Sequence, residues 1–131
     1  MRASFVIEPM VTQKKTLVLG ASDNPARYSY LAINRLRRKG HPVVAIGQRK
    51  VKMADVDIET EKKAFEGVDT VTLYLNSMRQ KEYYDYILSL HPKRIIFNPG
   101  AENPELATLA MSNGIQPLEA CTLVLLSSGQ Y

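Results

Sequence analysis

The chain has 131 residues, a length that fits one domain with a buried core and is short for two. Apolar residues make up 45% of it, which excludes a disordered chain, and no apolar run approaches the roughly 20 residues that a membrane helix requires. The formal net charge of +4 favours anionic ligands such as phosphates. The sequence has no long basic run interleaved with aromatic residues, so nucleic-acid binding is not indicated.

Residues 1–15 are predicted to form an N-terminal extension, in which residues 4–8 are either a small extra strand or part of a tail. We expect no secretory signal, because the first apolar patch is short and is followed by Glu8. Cys121 is the only cysteine, so no internal disulfide can form, which is consistent with a cytoplasmic protein. The domain itself is predicted over residues 16–131.

The first predicted strand, residues 16–20, is a short apolar run that ends at a glycine. A helix is expected next, with Asn24 as its N-cap and Pro25 at its first position. Tyr28 is expected on its apolar side, together with Leu31, Ala32, Ile33 and Leu36. Its basic end suits the negative end of the helix dipole, and Gly40 ends it.

The rest of the chain continues the alternation. Further strands are predicted at residues 42–47, 69–75, 94–98 and 115–120, and further helices at 60–67, 78–90 and 103–114. Ser77 and Gln80 are predicted to form a capping box for the helix at 78–90, and Pro117 is expected to place the last strand at an edge or to shorten it. The apolar stretch 122–129 extends the sheet, covers the core or forms a dimer contact.

The predicted strands are continuous apolar runs separated by helices, which is typical of a parallel sheet covered on both faces. We therefore predict an α/β fold, a doubly wound, Rossmann-like three-layer sandwich with about five parallel strands. In such folds ligands bind at the carboxyl ends of the strands, where the strand order reverses.

The first four strands of this scheme end in small or polar residues on one rim of the sheet. The helix after the first strand directs its free N–H groups at the same rim, which makes an anion site to which Ser22 adds a hydroxyl and Arg27 a charge. The candidate rim residues are Gly20, Ala21, Ser22, Gly47, Arg49, Lys50, Leu75, Asn76, Pro99 and Gly100.

The end of the second strand discriminates between nucleotides. NAD sites usually carry an acidic residue there for the ribose hydroxyls, whereas this chain has Arg49 and Lys50. Ser22 also occupies the position where a dinucleotide fingerprint has its second glycine. Both features favour a nucleotide with a phosphate on its ribose, either NADP or coenzyme A. The alternative is that the two basic residues are simply a solvated loop.

The opening motif GASDNPARYS resembles that of the small coenzyme A-binding domain proteins, whose Rossmann-like module also begins the succinyl-CoA synthetase alpha subunit. The segments LRRKGHPVVAIG, VDTVTLYL and NPGAENPELATLAMSNGI follow in the family's order. The resemblance implies that Gly20, Ala21 and Ser22 line the phosphate loop and that Arg27 and Ser29 flank the phosphates. It also implies that the end of the second strand faces the adenosine, Leu75 and Asn76 the adenine or ribose, and Pro99 and Gly100 the pantetheine.

No catalytic or metal-binding residues are predicted. His41 and His91 each precede a proline at a helix-to-strand corner without a nearby partner for a triad or metal site, and Cys121 is expected to be a small core residue. The predicted function is therefore binding of coenzyme A or an acyl-CoA by a non-catalytic module. The alternatives are an enzyme that uses NADP and a partner-binding protein with a decayed nucleotide site. A homo-oligomer or a protein partner stays open.

Overall fold

A computed structural model describes residues 12–131, so the strand suggested at residues 4–8 lies outside the described residues. The elements are β1 (Thr16–Ala21), α1 (Tyr28–Arg38), β2 (Val43–Gly47), β3 (Val51–Met53), β4 (Val56–Glu59), β5 (Thr70–Leu73), α2 (Ser77–Gln80), a 3₁₀ turn (Lys81–Tyr83), α3 (Tyr84–Ser89), β6 (Arg94–Phe97), α4 (Pro104–Ser112), β7 (Gln116–Glu119) and α5 (Thr122–Ser127).

The strands form one sheet in the order β3-β4-β2-β1-β5-β6-β7, in which only β3 pairs with its neighbour in the antiparallel sense. Side chains alternate between the two faces of β1. Leu17 and Leu19 pack in the cluster that includes Ile87 of α3, whereas Val18 packs in the cluster that includes Ile33 of α1. The two clusters give the three-layer, Rossmann-like α/β sandwich that the alternation predicts.

All five predicted strands are present, as β1, β2, β5, β6 and β7, and β7 with Pro117 lies at the edge of the sheet. The helix predicted from residue 103 is also confirmed, because the Asn103 side chain caps α4 by accepting a hydrogen bond from Leu106 N at 3.2 Å. The last apolar stretch is α5. Leu126 is buried on the same face of the sheet as α1, so this stretch covers the core.

The helix predicted at 60–67 is wrong. Its residues form no helix, and the hairpin β3–β4, which the sequence reading missed, precedes them. Most side chains of 60–67 are exposed, so a helix there would have no apolar face to bury, and a segment this short is not stable on propensity alone. The hairpin has the period-two burial of a strand pair, with Met53, Val56 and Ile58 buried and Asp57 exposed.

The start of the first helix is also corrected. Asn24 lies in a turn, where its side chain accepts from Ala26 N and its carbonyl from Arg27 N, both at 3.0 Å. The turn satisfies the groups that the predicted N-cap would have used, so α1 begins only at Tyr28. Tyr28 is 71% exposed rather than buried, and the buried side of the first turn is Ser29 instead.

The helix predicted at 78–90 is interrupted. Asn76, not Ser77, is its cap, with the Asn76 side chain accepting from Arg79 N at 2.9 Å. The capping box is wrong because Gln80 is fully buried and its amide bonds the carbonyls of Leu75 and Ala101. The chain then passes through the 3₁₀ turn before it continues as α3.

Candidate functional site

A cleft of about 550 Å³ lies at the carboxyl ends of β1, β2, β5 and β6, where the loops that follow these strands meet. This is the rim of the sheet at which ligands of doubly wound folds bind. The volume lies within the roughly 300–1,000 Å³ that is usual for small-molecule sites.

The structure brings most of the candidate residues together in this cleft. Its lining includes Gly20, Ala21, Ser22, Arg27, Ser29, Gly47, Arg49, Leu75, Asn76, Pro99 and Gly100. Lys50 is not part of the lining, because its ammonium group points to β4, with Nζ 3.8 Å from Glu59 Oε1.

Two of the glycines are required by the packing of the strands themselves. A β-carbon on Gly47 would lie 2.2 Å from the Ala21 carbonyl oxygen, and one on Gly20 would lie 3.0 Å from the backbone of Tyr74. Gly20 also has φ +94°, a conformation that side chains disfavour. Gly100 differs, since a β-carbon there would meet nothing within 4 Å.

The loop between β1 and α1 presents donors to the cleft. The Ser22 hydroxyl accepts a hydrogen bond from Asn24 N at 3.0 Å, which fixes the loop. The first N–H groups of α1 have no partners within the helix, and no acidic residue lies in its first turn. Arg27 precedes this turn and is exposed. The loop therefore combines a positive helix end with a cation, an arrangement that favours an anion.

Asp23 is a lining residue that sequence reasoning missed. Arg49 Nη2 donates to both of its carboxylate oxygens, at 2.7 Å and 2.6 Å. The Arg49 hydrogen bond holds the pKa of Asp23 below its ordinary value. An acidic residue therefore lies beside the end of β2, as in NAD sites, but it comes from the loop after β1. The sequence carries no local signal for this pairing.

Arg79 is the second residue that was missed. It lines the cleft from the first turn after Asn76. With the Gln48 amide oriented so that its oxygen faces Arg79, that oxygen accepts from Nη2 at 2.6 Å and from Nη1 at 3.2 Å. The signal would have been Asn76, rather than Ser77, as the cap of this helix, because that cap places Arg79 in the first turn, beside the loop after β5.

Buried amides hold the walls of the cleft. Gln80 Nε2 donates to the carbonyls of Leu75 and Ala101, both at 2.8 Å, so it ties the loop after β5 to the loop after β6. Asn98 lies beneath, donating to Thr72 Oγ1 and Leu73 O and accepting from Thr122 N. These bonds fix the positions of the neighbouring lining residues, because breaking them would leave buried polar groups unpaired.

Within the described part of the chain, His41, His91 and Cys121 do not line the cleft. Tyr74 does line it, but burial raises the pKa of Tyr74 to about 12, so the phenol stays neutral near pH 7. Residues 12–131 contain no cluster of His, Cys, Asp and Glu that could hold a metal ion. Within the same residues no helix has the length and apolarity to cross a membrane.

Comparison with known proteins finds close structural relatives. The chain is 50% identical to an uncharacterized protein of known crystal structure, with a TM-score of 0.89, and the match covers 92% of this chain and 99% of that one. A Thermus thermophilus protein, cell-free ID.343, matches at 19% identity with a TM-score of 0.81 over 91% of both chains. A hypothetical protein from Pyrococcus horikoshii OT3 matches at 18% identity and a TM-score of 0.81, covering 88% of this chain and 83% of that one.

At 19% and 18% identity, the likeness to the two more distant structures shows the fold alone. No curated protein matches the chain. Residues 14–127, nearly the whole domain, match the protein family described as the CoA binding domain.

Proposed function

Since the chain belongs to the CoA binding domain family, we propose that it binds coenzyme A or an acyl-CoA in the cleft, as a module with no chemistry of its own. The observation that carries the proposal is the convergence of Arg27, Arg49 and Arg79 on one cleft beside the free N-terminus of α1. Coenzyme A has both a diphosphate and a ribose phosphate, so it needs cationic groups at two places.

The chemistry of the lining supports one orientation of the ligand. The diphosphate lies against the first turn of α1 and Arg27, where helix N–H groups and a guanidinium favour negative charge. The adenosine lies toward the end of β2, with its ribose phosphate at Arg49. Leu75, which is apolar and lines the cleft, contacts the adenine. The open side of Gly100 leaves space for the pantetheine chain.

A module without chemistry is supported by what lines the cleft. Within the described residues the lining contains no histidine and no cysteine, the side chains that most often act as general base or thiol nucleophile in enzymes. Tyr74 is neutral at the same pH. A cytoplasmic location is part of the proposal and is supported by the free thiol of Cys121.

Thermal unfolding with a panel of ligands tests the proposal. The ligands are coenzyme A, acetyl-CoA, dephospho-CoA, NADP and NAD. A ligand present at a hundred times its dissociation constant stabilises the folded state by about 2.7 kcal/mol. We expect coenzyme A and acetyl-CoA to raise the unfolding temperature most and NAD to have no effect. A larger shift with NADP than with coenzyme A would favour a dinucleotide site, and no shift with any ligand would refute the proposal.

A further inference from the structure

Asp23 is the one acidic residue among the described residues that line the cleft. It lies in the loop after β1, and its carboxylate contacts the guanidinium of Arg49 at the end of β2. The arginine to which the proposed function assigns the ribose phosphate therefore already holds an anion in the free protein. The other two arginines of the lining differ, since Arg79 faces the neutral amide of Gln48 and neither Arg79 nor Arg27 forms an ion pair with a described residue.

The geometry of this pair makes it exchangeable. Both Asp23 oxygens lie on the single nitrogen Nη2 of Arg49, so the two groups do not form the parallel two-nitrogen contact that makes arginine–carboxylate pairs strong. The Arg49 side chain is 70% exposed, and exposed ion pairs contribute little to stability. A phosphate monoester carries more negative charge than a carboxylate and has more acceptor oxygens, so it competes well for the same guanidinium.

We propose that Asp23 is a specificity-determining residue, which occupies Arg49 in the free protein and is replaced there by the phosphate on the ligand's ribose. This inference rests on the proposed function. A ligand without that phosphate leaves the pair intact and gains nothing from Arg49. A ligand that carries it must first displace Asp23, so Asp23 reduces the preference for the phosphorylated ribose.

A different role for Asp23 is chemically reasonable and must be separated by experiment. Carboxylates near the end of β2 accept hydrogen bonds from ribose hydroxyls in many doubly wound folds. In that role Asp23 would strengthen the binding of every ligand that keeps a free hydroxyl, whether or not its ribose is phosphorylated. The two roles predict opposite effects of Asp23→Asn.

The experiment is titration calorimetry of coenzyme A and dephospho-CoA with the wild type, Asp23→Asn, Arg49→Ala and the double variant. The measured quantity is the phosphate preference, which is the dissociation constant of dephospho-CoA divided by that of coenzyme A. A matched control is Asp55→Asn, which removes the same charge from a second exposed ion pair, that with Arg37, away from the cleft. Thermal unfolding without ligand shows whether each variant is folded.

We expect Asp23→Asn to bind coenzyme A about two- to fivefold more tightly, the range that exposed ion pairs span. The affinity for dephospho-CoA should change less, so the ratio of the dephospho-CoA to the coenzyme A dissociation constant should rise. In the Arg49→Ala background Asp23→Asn should leave the ratio unchanged, because no guanidinium is released. Asp55→Asn should leave both affinities unchanged.

Three results would overturn the inference. The first is an equal ratio in the wild type and in Asp23→Asn. The second is an equal change of the ratio in the Arg49→Ala background. The third is weaker binding of both ligands by Asp23→Asn, as expected for the loss of an acceptor for ribose hydroxyls. Failure of the proposed function looks different, because then the wild type itself binds neither ligand.

Discussion

The backbone of Gly47 packs directly on Ala21, and a β-carbon on Gly47 would lie 2.2 Å from the Ala21 carbonyl oxygen. The two residues are partners in the β1–β2 register, at the point where both strands turn into the cleft. Glycine at position 47 is thus needed for the close approach of the strands whether or not a ligand is bound.

Gly47→Ala should destabilise the protein by about 3 kcal/mol, because the strands must separate to admit a methyl group. The free energy of unfolding in urea measures this loss. Gly67→Ala is the control: it meets no neighbour within 4 Å but has φ +70°, so it should cost only about 1 kcal/mol of backbone strain. Equal losses in the two variants would contradict the steric explanation.

Asn98→Ala should cost about 3 kcal/mol, because it leaves the carbonyl of Leu73 and the N–H of Thr122 unpaired in the interior. The measurement is again urea unfolding. Asn113→Ala is the matched control, since that exposed amide bonds only the Leu109 carbonyl of its own helix. A loss at Asn98 no larger than at Asn113 would show that the buried network does not hold the floor of the cleft.

Arg27→Ala should weaken coenzyme A and dephospho-CoA to the same extent, by about 10-fold, because both ligands keep the diphosphate and a charge-assisted hydrogen bond is worth about 1.5 kcal/mol or more. Calorimetry of both ligands measures this. Arg38→Ala, in the last turn of the same helix, removes the same charge far from the cleft and should have no effect. A loss confined to coenzyme A would assign Arg27 to the ribose phosphate instead.

Arg79→Ala should weaken coenzyme A by about tenfold or more, because its guanidinium lines the cleft and a hydrogen bond to a phosphate is worth about 1.5 kcal/mol or more. Lys50→Ala removes the same charge but should leave the affinity unchanged, since Lys50 lies outside the lining. The reverse order of effects would restore Lys50 to the site and remove Arg79 from it.

The stability of the protein should fall as the pH drops below the ordinary histidine pKa of 6.5. Burial, with Lys14, Arg94 and Lys39 nearby, lowers the pKa of His41, while Asp69 opposes this. Because the unfolded chain then binds a proton that the folded one does not, His41 stabilises the fold above 6.5 and ceases to do so as the pH falls through its lowered pKa.

Unfolding temperatures between pH 8 and 5 measure this effect, with the pH range chosen about the ordinary histidine value. His41→Asn should reduce the dependence, because an amide oxygen can accept the hydrogen bond that His41 Nδ1 accepts from Lys14 N without titrating. The control is His91→Asn, at an exposed corner, in which the pH dependence of the unfolding temperature should be the same as in the wild type. An unchanged dependence in His41→Asn would refute the assignment.

The sequence predicted most of the fold because the strands of a covered parallel sheet are continuous apolar runs, a pattern that local inspection detects. The prediction from sequence failed where contacts with residues distant in the chain determine the local structure. Residues 60–67 have good helix formers but no face to bury, and Gln80 suits a capping box but bonds two carbonyls brought to it by other loops. Asn24 caps a turn instead of the helix, a choice that local chemistry leaves open.

The sequence by itself determined the layered architecture, the rim where the loops meet and the positive charge that gathers there, since all three follow from periodicity, strand direction and composition. Only the tertiary structure decided which charges share the cleft. It brought Asp23 to Arg49 across 26 residues, added Arg79 and directed Lys50 to Glu59. The reason is physical: a side chain's partner depends on how separate strands and loops pack, and no local pattern encodes that distance.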